Sequence, residues 1–105
     1  MENIEFTEND WKFFRNRITD WQESYMDRLC KEYMALLSGE ERPSEKFWRL
    51  EKRMKKDRRN AGVKLVMSRS NLVYNVASLL KEGAIACEDL EEFSDKLKET
   101  VNKLR

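Results

Sequence analysis

The sequence predicts an all-α protein, and three observations lead there. Turn formers are scarce, with three Gly and one Pro in 105 residues. Charged residues make up 39% of the chain, which is a helix-forming rather than a sheet-forming composition. Apolar residues recur in steps of three and four as Trp11, Phe14, Ile18, Trp21, Tyr25, Leu29 and Tyr33, the spacing of one helical face. Three Trp, three Tyr and five Phe supply enough bulk to argue against disorder. A chain of this length makes one domain, 1–105, and buries roughly two-thirds of its unfolded surface.

"FTEND" opens the first helix. Thr7 is a good N-cap, Asp10 stands three residues later to complete a capping box, and Phe6 and Trp11 have the spacing of a hydrophobic staple. The periodicity carries helix 1 from about Glu8 to Leu37, where Gly39 supplies a stop. "SGEERPS" is a loop, and Pro43 and Ser44 mark a fresh start. The next stretch reads two ways. Basic residues followed by Asn60 and Gly62 resemble a helix end. Against that, no good N-cap follows until Ser68, and the apolar register continues through 47, 50, 54, 61, 65, 72, 76 and 79. The favoured expectation is one long helix 2 from Ser44 to about Lys81, kinked at Gly62. The alternative is a break at Gly62 with the chain folding back. Gly83 ends this segment, and a short helix 3 buries Leu90, Phe93, Leu97, Val101 and Leu104.

These pieces predict an antiparallel bundle of three helices. Helix 3 is too short to cover the whole length of the other two, and chain direction places it against the N-terminal half of helix 1. The opposite end, about 25–59, is then a bare two-helix hairpin. Its apolar residues Tyr25, Met26, Leu29, Tyr33, Met34, Leu37, Phe47, Trp48, Leu50 and Met54 cover more than one stripe. Two helices cannot bury so wide a surface, and exposed patches of that kind mark interfaces. The expected completion is a second copy, giving a homodimer that closes a four-helix bundle by twofold symmetry. Folding back at Gly62 into a monomeric four-helix bundle is the competing arrangement, and another protein partner remains open.

The net charge is only +1, but it is unevenly spread. Residues 1–41 carry net −5, residues 42–69 net +8 and residues 70–105 net −2. "EKFWRLEKRMKKDRRNAG" holds eight Lys or Arg between Lys46 and Arg59. Lys52, Arg53, Lys55, Lys56, Arg58 and Arg59 form a candidate acidic-partner patch. These cations occupy several helix faces, with no helix-turn-helix signature and no basic-aromatic interleaving. A solvated helix lying beside Asp20, Glu23, Asp27 and Glu32 of helix 1 accounts for the run more cheaply than a nucleic-acid surface does. Such pairs contribute little stability and favour the right register.

Chemistry finds little support. The chain has no His, so Ser-His and Cys-His nucleophile systems are absent, as is a Glu-x-x-His di-metal bundle. There is no paired Cys for a metal and no Gly-rich phosphate loop. The expectation is therefore no enzyme, no cofactor and no metal. Polar "SRSN", Ser68 to Asn71, and Asn75 interrupt the most apolar stretch, as register-fixing groups or as the lining of a small pocket near Trp11 and Trp21. Cys30 and Cys87 stand alone, as in a reducing cytoplasm. No signal peptide is expected, and with a mean hydropathy of −0.85 no segment is expected to enter a membrane.

"FTENDWKFFRNRITDWQESYMDRL" together with "KEGAIACEDLEEFSDKLKETV" resembles a group of short, uncharacterised, all-helical Firmicutes proteins, some labelled multidrug transporters. The resemblance spans most of the chain and implies a bacterial, cytoplasmic protein. It carries no active-site residues, and the transporter label conflicts with the hydropathy. The reading is a non-enzymatic oligomerising or adaptor-like protein. The alternatives are a small nucleic-acid-associated or regulatory protein using 46–69 and, more weakly, a helical ligand-binding module near Trp11, Trp21 and Asn75.

Overall fold

A computed structural model describes residues 5–104, so the two ends of the expected 1–105 domain lie outside the described residues. Four α-helices follow in order: α1 (Glu8–Leu37), α2 (Pro43–Asp57), α3 (Leu72–Lys81) and α4 (Asp95–Leu104). Single 3-10 turns at Arg69–Asn71 and Cys87–Leu90 precede α3 and α4, and there is no strand among the described residues.

α1 forms as the sequence predicts. The Asp10 N–H donates to Thr7 Oγ1 at 3.1 Å, and the Thr7 N–H donates to Asp10 Oδ2 at 2.9 Å, closing a capping box. Asp10 is buried, and it ties in α4 as well. Its carboxylate accepts from the Ser94 N–H at 2.7 Å and from Ser94 Oγ at 2.6 Å. Ser94 in turn caps α4, accepting from the Leu97 N–H at 3.2 Å.

Helix 2 corrects the expectation. It is not one kinked rod but two helices, so the described residues form four helices where three were expected. α2 ends at Asp57, and residues 58–64 turn through hydrogen bonds from Asn60 N to Asp57 O and from Val63 N and Lys64 N to Asn60 O. Glu82, at the C-terminal end of α3, clamps this turn. Its carboxylate accepts from the Ala61 N–H at 2.9 Å and the Gly62 N–H at 3.1 Å. Gln22 Nε2 donates to the Ala61 carbonyl from the other side at 2.9 Å. Gly62 lies on the ring of Tyr25, where an added Cβ would sit 2.3 Å from Cδ2. The glycine is needed for close approach, not as a hinge.

The chain then runs back along α1. Gly62 sits at the level of Tyr25, while Arg69 pairs with Glu8 and lies over the Trp11 ring, 5.4 Å from its centroid. That is about 20 Å of α1, crossed by seven residues at about 3 Å each, which is strand-like extension. Burial alternates accordingly, with Val63 and Leu65 half-buried and Lys64 and Val66 exposed. α3 reverses direction and runs parallel to α1, from the Trp11 end to where Arg28 Nη2 donates to the Gly83 carbonyl at 2.9 Å. Gly83 stops α3 with φ +78°, and the Ala84 and Ile85 N–H groups donate to the Leu79 carbonyl.

This reversal concentrates the core at one end. Phe14, Leu72, Val76, Leu79, Leu97 and Val101 are fully buried, with Trp11, Ile18, Trp21, Ile85, Leu90 and Phe93 around them. Leu90 and Phe93 enter from the chain before α4, and Leu104, expected in the core, is exposed. Phe13 meets Trp21 and Phe93 edge to face, with the Phe13 and Phe93 centroids 5.0 Å apart, and the Trp21 and Phe93 rings are tilted at 52°. The body measures 57 × 24 × 20 Å, and the C-terminal half of α1 projects from the core as a hairpin with α2.

Candidate functional site

The hairpin holds together through a narrow internal seam. Tyr25 and Leu29 of α1 are buried in it, and Tyr33, Leu36 and Leu50 are half-buried. A polar cluster closes its base. Asp57 is buried, and its Oδ2 accepts from Tyr33 Oη at 2.6 Å and from Arg53 Nε at 3.1 Å. Arg53 also pairs with Glu32 across the hairpin and lies over the Tyr33 ring, 5.6 Å from its centroid. The hydrogen bond to Glu32 is the leading reason that the Arg53 pKa is raised. Partial burial, and then the hydrogen bond and charge of Asp57, push the Tyr33 hydroxyl up to about 12. Asn60 Nδ2 donates to Tyr25 Oη at 2.8 Å, joining this cluster to the turn after α2.

The seam divides the expected interface residues. Tyr25 and Leu29 are consumed inside the chain's own fold, which corrects their placement on an outer surface, and Tyr33 and Leu50 mostly so. Met34, Leu37, Phe47, Trp48 and Met54 remain exposed, with Phe47 and Trp48 at 62% and 63%. Phe47 and Trp48 touch edge to face, centroids 4.8 Å apart, and still present most of their area to water. Helical spacing sets Met26, Cys30, Met34 and Leu37 of α1 beside Phe47 and Met54 of α2 on one side of the hairpin. A depression of about 200 Å³ near the base of that side is lined by Met26, Cys30, Tyr33, Met54 and Val63. Cys30 is an exposed thiol within it, and Cys87 is exposed at the start of its 3-10 turn.

The basic run divides too. Arg53 is bound internally, Lys55 pairs with Glu51 at 3.3 Å within α2, and Arg49 reaches Glu41. Only Glu32 of the four expected acidic neighbours reaches across, while Asp27 pairs with Lys31 of its own helix. Lys52, Lys56, Arg58 and Arg59 make no ion pair among the described residues, so neutralisation by α1 does not explain them. Arg58 and Arg59 line an open groove of about 900 Å³ with Val63, Lys64, Leu65 and Val66. This groove was not expected from the sequence, because its second wall is the stretch read as helix.

The weaker alternative, a ligand pocket near Trp11, Trp21 and Asn75, gains no support from the residues that would line it. Both indoles are buried in the core, and Asn75 Nδ2 donates to the Val66 carbonyl at 2.9 Å, pinning the extended stretch to α3. Arg69 of "SRSN" fastens that stretch to α1 through Glu8. Among the described residues no helix is long and apolar enough to cross a membrane, and no group of His, Cys, Asp or Glu is arranged to hold a metal ion. Comparison with known proteins found no matching family model, no similar curated protein and no similar solved structure.

Proposed function

We propose that this protein is a non-enzymatic interaction module that self-associates through the apolar side of the α1–α2 hairpin. The observation that carries the reading is the exposure of Met34, Leu37, Phe47 and Met54, which helical spacing sets on one side of a projection that contributes little to the core. A second copy suits this surface. Hairpin helices about 20 Å long and two abreast offer several hundred Å² per partner, near the lower range of specific interfaces. The margins are complementary as well. Glu23 and Asp27 flank the apolar side on α1 and Arg58 flanks it on α2, so laying α1 of one copy on α2 of the other brings unlike charges together. A bacterial cytoplasmic setting is part of this proposal.

The mass in solution tests it. Light scattering on a sizing column is expected to give twice 12.7 kDa for the natural sequence and 12.7 kDa for Met34→Glu or Phe47→Glu. Both residues are exposed, so neither variant threatens the fold. A monomer at every concentration and salt would remove the reading. The unpaired Lys52, Lys56, Arg58 and Arg59 favour a second reading, a nucleic-acid-associated protein using 46–69. That reading requires steeply salt-dependent binding to a mixed-sequence oligonucleotide, lost when Lys52 and Lys56 become Glu.

A further inference from the structure

We propose that residues 65–67 are a docking edge for an extended acidic segment of a partner protein, which adds as a strand and sets its carboxylates on Arg58, Arg59 and Lys64. The inference does not rest on the pairing of hairpins, although Arg58 borders both surfaces.

The backbone is the first ground. Leu65, Val66, Met67 and Ser68 donate no backbone N–H to any described residue, and the Leu65 and Met67 carbonyls accept nothing among the described residues. In an extended chain the N–H and C=O of one residue point to the same side, and those of the next residue to the other. The Val66 carbonyl is held by Asn75 on the α3 side. The groups of Leu65 and Met67 therefore face away from α3, as a short unpaired edge. Such an edge is a template for another strand, and peptide recognition by strand addition uses it.

Side chains are the second ground. Leu65 turns inward and packs against the core, which fixes the strand, while Val66 is 67% exposed. "VKLVM" suits a strand by composition, with two valines that pack well on a pleated surface. The groove beside it is open and of peptide size at about 900 Å³.

Charge selects the occupant. Arg58, Arg59 and Lys64 border the groove and have no ion pair among the described residues. A second copy of the same edge would set the three cations of each chain against those of the other, and like charges opposed across paired strands are destabilising. Nucleic acid satisfies the cations, but phosphates only accept hydrogen bonds. They leave the free carbonyls unmatched, and no aromatic ring lines the groove for a base to stack on. A peptide strand carries donors and acceptors alternately, and its acidic side chains answer the arginines, which bind carboxylates in a bidentate fork.

The test uses the full chain, labelled with nitrogen-15, and an acetylated, amidated hexapeptide that alternates Val with Glu and Asp. The peptide is expected to shift and protect the Leu65 and Met67 amides. N-methylation of the peptide residues on one edge is expected to abolish binding, and on the other edge to leave it. The double change Arg58→Glu with Arg59→Glu is expected to weaken binding at least about tenfold, as is Lys64→Glu by a smaller factor. Repeating the titration in Phe47→Glu separates this edge from the hairpin surface, and binding there is expected to be unchanged. No response at about millimolar peptide overturns the proposal. So do indifference to N-methylation at both edges, equal displacement by an oligonucleotide of the same charge, and concentration-dependent pairing of these amides without peptide.

Discussion

Replacing Gly62 with alanine separates a broken helix 2 from a continuous one by the sign of the effect. Inside a continuous helix the change would stabilise the protein by about 1 kcal/mol, because alanine has the higher propensity. The observed turn reverses that. Gly62 does not have a positive φ, so alanine meets no backbone strain there and keeps the usual advantage of a less disordered unfolded chain, about 0.5–1 kcal/mol. Its methyl, however, would lie 2.3 Å from Tyr25 Cδ2 and 2.6 Å from Cγ. Cγ is at the root of the ring, so the whole side chain has to move. Overpacking of this kind costs about 1–3 kcal/mol. The displaced ring also risks its hydrogen bond from Asn60 and its contact with Arg28, worth about 1 kcal/mol more. The net expectation is a loss of about 2 kcal/mol, read by urea unfolding and as a fall of about 10 °C in Tm. In a Tyr25→Leu background the alanine is expected to be better tolerated, giving a positive coupling in a double-mutant cycle. A stabilised Gly62→Ala protein would refute the close approach and, with it, the turn after α2.

Three further expectations follow from named contacts. Asp10→Ala removes two bonds from Ser94 and half of the capping box, and is expected to cost about 3 kcal/mol in urea unfolding, with Asp10→Asn recovering part of it. Tyr33 is raised from 10.0 to about 12 in the folded state, so the stability it contributes is complete below about pH 10 and is lost as pH rises from there through about 12. An Asp57→Asn variant, with the charge removed, is expected to lower that upper limit in a spectrophotometric titration of tyrosine, and an unchanged titration would remove the Tyr33–Asp57 bond. Native-state hydrogen exchange is expected to be fast at the amides of 65–68 and slow at those of Val76 and Leu79 deep in the core, whereas protection across 58–71 would mean a continuous helix.

Much of this architecture is legible where local chemistry agrees with burial. Thr7 and Asp10 announce the start of α1, the Gly39–Pro43 stretch announces the first turn, and Gly83 announces the end of α3. The break was written in Asn60 and Gly62 but contradicted by the register of 61, 65, 72, 76 and 79. That register is real, since Ala61, Leu72, Val76 and Leu79 are buried and Leu65 packs against them, but an extended stretch satisfies part of it. α3 also begins without a side-chain cap, entered instead from a 3-10 turn, so the signal that would have marked its start does not exist. The Asp10–Ser94 contact joins residues 84 apart and has no local signature. For the hairpin, composition identified an excess of apolar area but not which part faces inward. Tyr25 and Leu29 share the α1 stripe that continues into the core, whereas Met34 and Phe47 lie off it. Arg53 reads like its basic neighbours, and its place between the buried Asp57 and Glu32 of α1 is set by the fold.

The break in helix 2 and the open edge have one cause. A rod continuing from Asp57 through Lys81 would keep its helical hydrogen bonds, each worth about 1 kcal/mol net. It would also present an apolar stretch with side chains on every face to α1 and to a C-terminal helix too short to cover it, and leave Leu72, Val76 and Leu79 in part to water. Reversing the chain packs α3 against α4 in a core shared with α1, where all three are fully buried, and each such side chain stabilises the fold by about 1.5–3 kcal/mol relative to exposure. The reversal requires a return path along α1, and the shortest path is an extended one. Asn75, Arg69 and the inward Leu65 hold that path in place from one side only. Its other side keeps unmatched backbone groups next to the two arginines that end the basic run. A core that needed α3 turned around has thereby left a strand without a sheet, and the charge beside it selects what can complete it.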